Sequence, residues 1–189
     1  WCSGCNFRLA KKDLLVVFLL SLLRATTSFS LLIAYQNIAT GVASTIHFMY
    51  PLAVSLAMMF FFHEKKSLLV MLAVLMSLFG AALLSSGELE AKSGHTMVGL
   101  VAACISVFSY GGYIIGVRTT RAAQINSTVL TCYVMGMGAV LYLIGAMATS
   151  GLHLVTDGYI WLIILGLALP VTAISNITLV RAIKYAGPT

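Results

Sequence analysis

The chain has 189 residues, of which 60% are hydrophobic and only 8% charged, against roughly 25% charged in an ordinary soluble domain; its mean hydropathy is +1.02. This composition excludes a water-soluble globular domain and points to a membrane protein. The net charge of +6 does not mark a nucleic-acid partner, because lysines and arginines stand singly or in pairs between apolar runs and form no basic patch.

At the start of the chain, Cys2 and Cys5 form a C-x-x-C with no second pair to complete a zinc site. The strand–helix–strand context of a thioredoxin-like redox motif is also absent. They are read as incidental thiols, like Cys104 and Cys132 inside apolar runs, so neither metal nor cofactor is expected. The chain opens on Trp1 without a charged-then-apolar leader layout and stops at YAGPT in mid-pattern, which reads as an internal fragment.

Six apolar runs of about 20 residues, the length needed to cross a bilayer, fall at 14–37, 44–62, 67–86, 97–117, 127–149 and 158–180. None shows the ten-residue alternation of a membrane β-barrel. Backbone groups in hydrocarbon must therefore bond within helices, and the expected fold class is all-α, a polytopic membrane helix bundle.

The first run, VVFLLSLLRATTSFSLLIAY, carries Arg24 near its middle. Ten residues in from the boundary, at 1.5 Å each, place it about 15 Å deep. An arginine at a helix centre costs about 2.5–3.5 kcal/mol on insertion scales, so it is expected to face the bundle interior or a wet cavity. Ser21, Arg24, Ser28 and Tyr35 share one helical face, a polar stripe fit to line a path. The guanidinium fork suits a carboxylate or phosphate, and no Asp or Glu occurs within any run. An anionic group of a substrate is one counterpart; helix-end carbonyls, or an acid on a helix outside this chain, are the other.

In the second run His47 lies on a stripe with Ser44, Pro51 and Ser55. It is suited either to gating and proton transfer or to a plain interhelical hydrogen bond. Pro51 is expected in mid-helix, where it frees a backbone carbonyl to build a site or a bend. The third run presents Ala73, Ser77, Gly80 and Ala81 on one face, a small-residue packing surface.

The fourth run aligns Ser106, Ser109, Tyr110 and Tyr113. The tyrosines are expected either to cradle a small organic molecule or to pack. Thr131, Gly138, Tyr142 and Gly145 of the fifth run are read as packing. In the sixth run Thr172, Ser175 and Asn176 cluster near Pro170, and Asn176 is a further substrate-contact candidate. The sequons at Asn126 and Asn176 fall on the cytoplasmic side and inside a run, where neither carries glycan.

Alternating the runs collects Arg8, Lys11, Lys12, Lys65, Lys66, Arg118, Arg121, Arg181 and Lys184 on one side and only Lys92 on the other. Basic residues accumulate in cytoplasmic loops, so the loops bearing Lys65, Lys66, Arg118 and Arg121 are expected to be cytoplasmic.

LLIAYQNIATGVAS and ITLVRAIKYAGPT echo one another, Gly41 falling on Gly187, Ala39 on Tyr185 and Gln36 on Ala182. The spacing encloses five runs, and an odd number inverts the second copy, as in the inverted repeats of transporters. The stretch AYQNIATGVASTIHFMYPLAVSLAMMFFFHEKKSLLVMLAVLMSLFGAALLSSG resembles the EamA-type repeat of drug/metabolite transporters. The matching positions are Gly41 and Ser44 at the turn, then Pro51, Glu64 and Gly80.

The resemblance implies ten helices in two inverted five-helix repeats. Residues 1–87 would then hold the C-terminal part of the first repeat and residues 88–189 the N-terminal part of the second. It further implies secondary transport of a small metabolite such as an amino acid or organic anion, often exported, by alternating access, in a bacterial inner (plasma) membrane. The FHEKKS turn departs from the family's Gly before and Arg after the glutamate, so Glu64 is read as structural, ahead of a Ser67 N-cap.

Arg24, Ser28, His47, Pro51, Tyr110, Tyr113 and Asn176 are accordingly the substrate-binding candidates, with a small-molecule substrate and the lipid bilayer as partners. H-E-x-x-H and G-x-S-x-G motifs are absent, and no enzyme is expected. The competing class is a structural or receptor-like membrane protein whose polar stripes only hold helices together.

Overall fold

In the computed structural model residues 10–62, 72, 75–76, 79–80, 83, 95–149 and 158–186 are described. Helix α1 spans Lys11–Asn37. The second apolar run is split into α2, Thr40–His47, and α3, Tyr50–Phe62. Helix α4 covers Thr96–Thr119, and a 3-10 turn at Arg121–Gln124 leads into α5, Ser127–Thr149. Helix α6, Gly158–Gly166, passes through a π-helical segment, Leu167–Ile174, into α7, Ser175–Ala186.

Four helical stretches among the described residues are long and apolar enough to cross a membrane: Lys11–Asn37, Thr40–Phe61, Thr96–Thr119 and Ser127–Met147. Glu64, Ser67, Ala73, Ser77 and Ala81, with most of the third expected run, lie outside the described residues. The sixth expected run is helical but not one α-helix. Pro170 withdraws its N–H from the ladder, and the helix widens there to π geometry. The Thr172 hydroxyl donates to the Leu167 carbonyl at 2.9 Å and the Asn176 amide to the Thr172 carbonyl at 2.7 Å, so both polar side chains close on backbone carbonyls of the same helical stretch.

Pro51 acts differently from the expected mid-helix kink. It is the second residue of α3, a first-turn position where a missing N–H costs little. The break falls just before it: the Phe48 amide closes α2 on Ser44, and the Met49 amide takes a tighter bond to Ile46. The carbonyl of His47, four residues before the proline, thereby lacks its usual α-helical donor.

Many large apolar side chains face outward, while small and hydroxyl-bearing ones are concentrated among the buried positions. Leu15, Phe18, Leu19, Leu32, Phe61 and Phe108 are exposed, whereas Ser21, Ala25, Thr27, Ser30, Ala34, Ser55 and Ser106 are buried. This is the distribution of helices that meet lipid outside and pack through small residues inside. The hydroxyls of Ser21 and Thr27 donate to carbonyls one turn back, at 2.7 and 2.8 Å, so each enters the interior already satisfied.

The chain divides into two units, residues 23–116 and residues 1–22 with 117–187. In the first, Ala34, Ile38, Ala43, Ala102 and Ala103 form a small-residue core under Tyr35 and Ile46. Gly99 allows the approach there, since a Cβ on it would lie 2.7 Å from Ile38 Cγ2. The end of α1 is tied to the start of α4 by the His95 amide donating to Asn37 Oδ1 at 3.2 Å.

The second unit packs α5 against α7 around buried Val129, Leu130, Val134, Val180 and Ile183. Asn126 caps α5 by accepting the Thr128 amide at 2.9 Å. Gly138 and Gly80, read above as packing positions, face no atom within 4 Å of an added Cβ among the described residues. The close approaches are instead at Gly99 and Gly111, the latter 3.3 Å from Val54.

Candidate functional site: an arginine on a tyrosine cluster

Arg24 is the central residue of α1, and that helix is about 40 Å long at 1.5 Å per residue. The side chain is half-buried, and its Cζ lies 5.2 Å from the centroid of the Tyr110 ring. A guanidinium over a π face gains electrostatic attraction of about 0.5–2 kcal/mol, more where water is excluded. That gain offsets part of the cost of holding a charge at the helix centre.

Tyr110 is the hub. The Tyr50 ring meets it edge-on at 4.6 Å between centroids, Tyr113 stacks at 6.0 Å with 23° between planes, and His47 lies at 5.4 Å. His47 also approaches Tyr50, at 5.6 Å. Tyr110 and Tyr113 are buried, the latter only 1% exposed. The break between α2 and α3 delivers this geometry: α2 ends at His47 and α3 begins at Tyr50, so both rings reach α4 from the ends of interrupted helices.

The hydrogen bonds assign the imidazole tautomer. Ser106 Oγ donates its single proton to the Ala103 carbonyl at 2.6 Å, and it also lies 3.0 Å from His47 Nδ1. With the serine proton on the Ala103 carbonyl, the hydroxyl is left to accept from Nδ1–H, the arrangement in which Nε2 of the neutral ring is an acceptor. The cluster thus combines a guanidinium fork, three phenols able to donate, tyrosine π faces and one imidazole acceptor.

Of the seven substrate-binding candidates, Arg24, His47, Tyr110 and Tyr113 meet in this cluster. Ser28 shares the α1 stripe, but its hydroxyl reaches only the Arg24 carbonyl, at 3.5 Å, the long limit of a hydrogen bond. Pro51 contributes by starting α3 beside Tyr50. Asn176 belongs to the other unit, buried and bonded to its own helix. Tyr35, at the end of the stripe, meets the Ser44 hydroxyl at 3.2 Å.

Tyr50 was absent from the expected set. The signal was its position immediately before Pro51, where a helix restarts and a side chain projects from its first turn. An apolar groove of about 480 Å³ between α3 and α4, lined by Met49, Ala53, Phe61, Phe108 and Gly111 among others, includes none of the cluster's polar residues. Its walls suit hydrocarbon and leave the polar chemistry to the Arg24 cluster.

The composition and the four membrane-length helices define an all-α integral membrane protein. No family model, curated protein or solved structure matches the chain.

Proposed function

We propose that the chain belongs to a secondary transporter of the EamA type, moving a small metabolite bearing an anionic group, an amino acid or organic anion, by alternating access. The observation that carries this reading is the half-buried Arg24 guanidinium, central in a membrane-length helix and held against Tyr110 within a cluster of His47, Tyr50 and Tyr113. The guanidinium lies 5.2 Å from the ring centroid of Tyr110, and its planar fork is of the kind that suits a carboxylate. The phenols add donors, and His47 Nε2 with the tyrosine faces suits an ammonium or hydroxyl on the same molecule.

The interruption between α2 and α3 supports the same reading, because discontinuous helices build midplane sites in transporters. The competing reading, a non-transporting structural membrane protein, draws on Ser21, Thr27 and Asn176, whose polar groups close on their own helices.

The test is uptake and efflux of labelled amino acids and organic anions by vesicles holding the complete gene product. Arg24→Ala is compared with Arg24→Lys at equal folded yield. Loss of one charge-assisted contact predicts a roughly tenfold to hundredfold fall for Ala, with partial retention in Lys. Unchanged transport in Arg24→Ala assigns the residue to packing; absence of transport in the wild type favours the structural reading.

A further inference from the structure

The unit formed by residues 1–22 and 117–187 holds a second polar site, unrelated to the Arg24 cluster. A cavity of about 490 Å³ is lined by Ile125, Asn126 and Ser127 at the start of α5 and by Arg181, Lys184 and Tyr185 of α7, with Ala123 and Gln124 beside them. Positions 181, 184 and 185 are three and four residues apart and so share one helix face. Lys184 Nζ donates to the Ile125 carbonyl, which anchors this face of α7 to the turn before α5.

Arg181 is exposed and makes no ion pair or hydrogen bond among the described residues. Two cations and the positive end of the α5 dipole therefore border one cavity, and no carboxylate lines it among the described residues. Asp13 of the same unit is engaged by Arg121 at 3.7 Å.

Sequence position and exposure indicate the source of the anion. Arg181 is the first residue beyond the apolar run 158–180, the kind of position where hydrocarbon gives way to headgroups when such a run spans a bilayer. Tyr185 is 89% exposed, an amphipathic ring of the kind that marks headgroup level. Basic pockets at that level between membrane helices suit lipid phosphates, and the volume is ample for a headgroup.

We propose that this cavity seats the phosphate of an anionic phospholipid, with Arg181 presenting its fork to the phosphate oxygens and Lys184 supplying the second positive charge. The phosphate would gain two cations and a helix N-terminus at once, and the protein would gain a clasp between α5 and α7. The site is independent of the transport reading.

The experiment follows the thermal unfolding midpoint of the detergent-purified protein titrated with short-chain phosphatidylglycerol, phosphatidylcholine or inorganic phosphate. A ligand that binds only the folded form raises the midpoint with the logarithm of one plus the ratio of free ligand concentration to Kd. Phosphatidylglycerol is expected to raise the midpoint where phosphatidylcholine does not. Arg181→Gln should raise about fivefold the lipid concentration needed for a given rise in midpoint, the effect of one cation near the membrane surface, while Arg181→Lys keeps most of the affinity. Lys12→Gln, which removes the same charge from exposed α1 sequence, should titrate as wild type.

The proposal is overturned by equal responses to the two lipids, by wild-type affinity in Arg181→Gln, or by an equal loss in Lys12→Gln. An equal response to inorganic phosphate overturns the lipid as the source.

Discussion

Arg24 and Arg181 are the same side chain in two different settings, one at the middle of a membrane-length helix and one just past the end of an apolar run. Arg24, central in α1, lies over the π face of Tyr110 within a partly buried ring cluster, whereas Arg181, at the end of an apolar run, stands exposed at the rim of a polar cavity. A charge at the centre of a membrane helix costs several kcal/mol unless the protein supplies a polar or polarisable environment. The same charge at the boundary is hydrated and tolerated without such provision. The deep site therefore has to be built before it can bind, and the boundary site needs only a favourable field.

The contrast breaks first at Tyr110. Replacing it by Ala removes the contacts to Arg24, His47, Tyr50 and Tyr113 together, and a buried aromatic truncation of this kind costs on the order of 3–5 kcal/mol. The thermal midpoint should fall by far more than for Tyr185→Ala, whose ring is 89% exposed. Equal losses at the two tyrosines would remove the distinction between a built site and a surface one.

Packing sharpens it next. Gly99→Ala places a Cβ 2.7 Å from Ile38 Cγ2 and 3.1 Å from Asn37 Cβ, an overpacking that costs about 1–3 kcal/mol. Gly138→Ala meets nothing within 4 Å among the described residues and should be neutral, or stabilising by up to about 1 kcal/mol through helix propensity. Unfolding of the two variants side by side distinguishes tight helix approach from open helix surface.

A smaller effect is expected at the imidazole. Ser106→Ala removes the acceptor of the His47 Nδ1 proton, a loss of about 1 kcal/mol, and frees the ring to change tautomer. Nitrogen NMR of labelled histidine should show the Nδ1–H form in the wild type and a mixture in the variant. An Nε2–H form in the wild type would contradict the assignment.

The smallest effect lies at Lys184. Partial burial lowers its pKa below the ordinary lysine value, so in the window between the lowered and ordinary values the unfolded chain binds this proton more strongly. Stability should rise with pH through that window and lose the contribution as pH falls through the folded-state pKa. Lys184→Met should lack this slope while the rest of the pH profile is unchanged.

Much of the deep site was legible in one dimension because its ingredients are chemically conspicuous. An arginine amid apolar residues, a histidine near a proline, and two tyrosines three apart each signal an interior helix face. Tyr50 escaped because it lacks that kind of signature: its role depends on a helix ending at His47 and restarting two residues later. The small-residue periodicity was legible as well, but it did not identify which glycines are approached. Gly99 and Gly111 are tight and Gly138 is open, a difference that depends on the facing helix and not on the glycine's own neighbours in sequence.

The apolar run lengths and the scarcity of charge were sufficient to determine an all-helical membrane chain, because hydrocarbon leaves an unpaired backbone no alternative. The clustering of Lys and Arg at run ends was likewise a property of the sequence. Tertiary structure decided where helices break and what meets across them. Proline removes a hydrogen-bond donor at both Pro51 and Pro170, yet one chain segment answers with a fresh helix start and the other with a π turn. The pairing of Arg24 with Tyr110, and of Lys184 with Ile125, joins residues 86 and 59 positions apart, contacts that only packing can bring about.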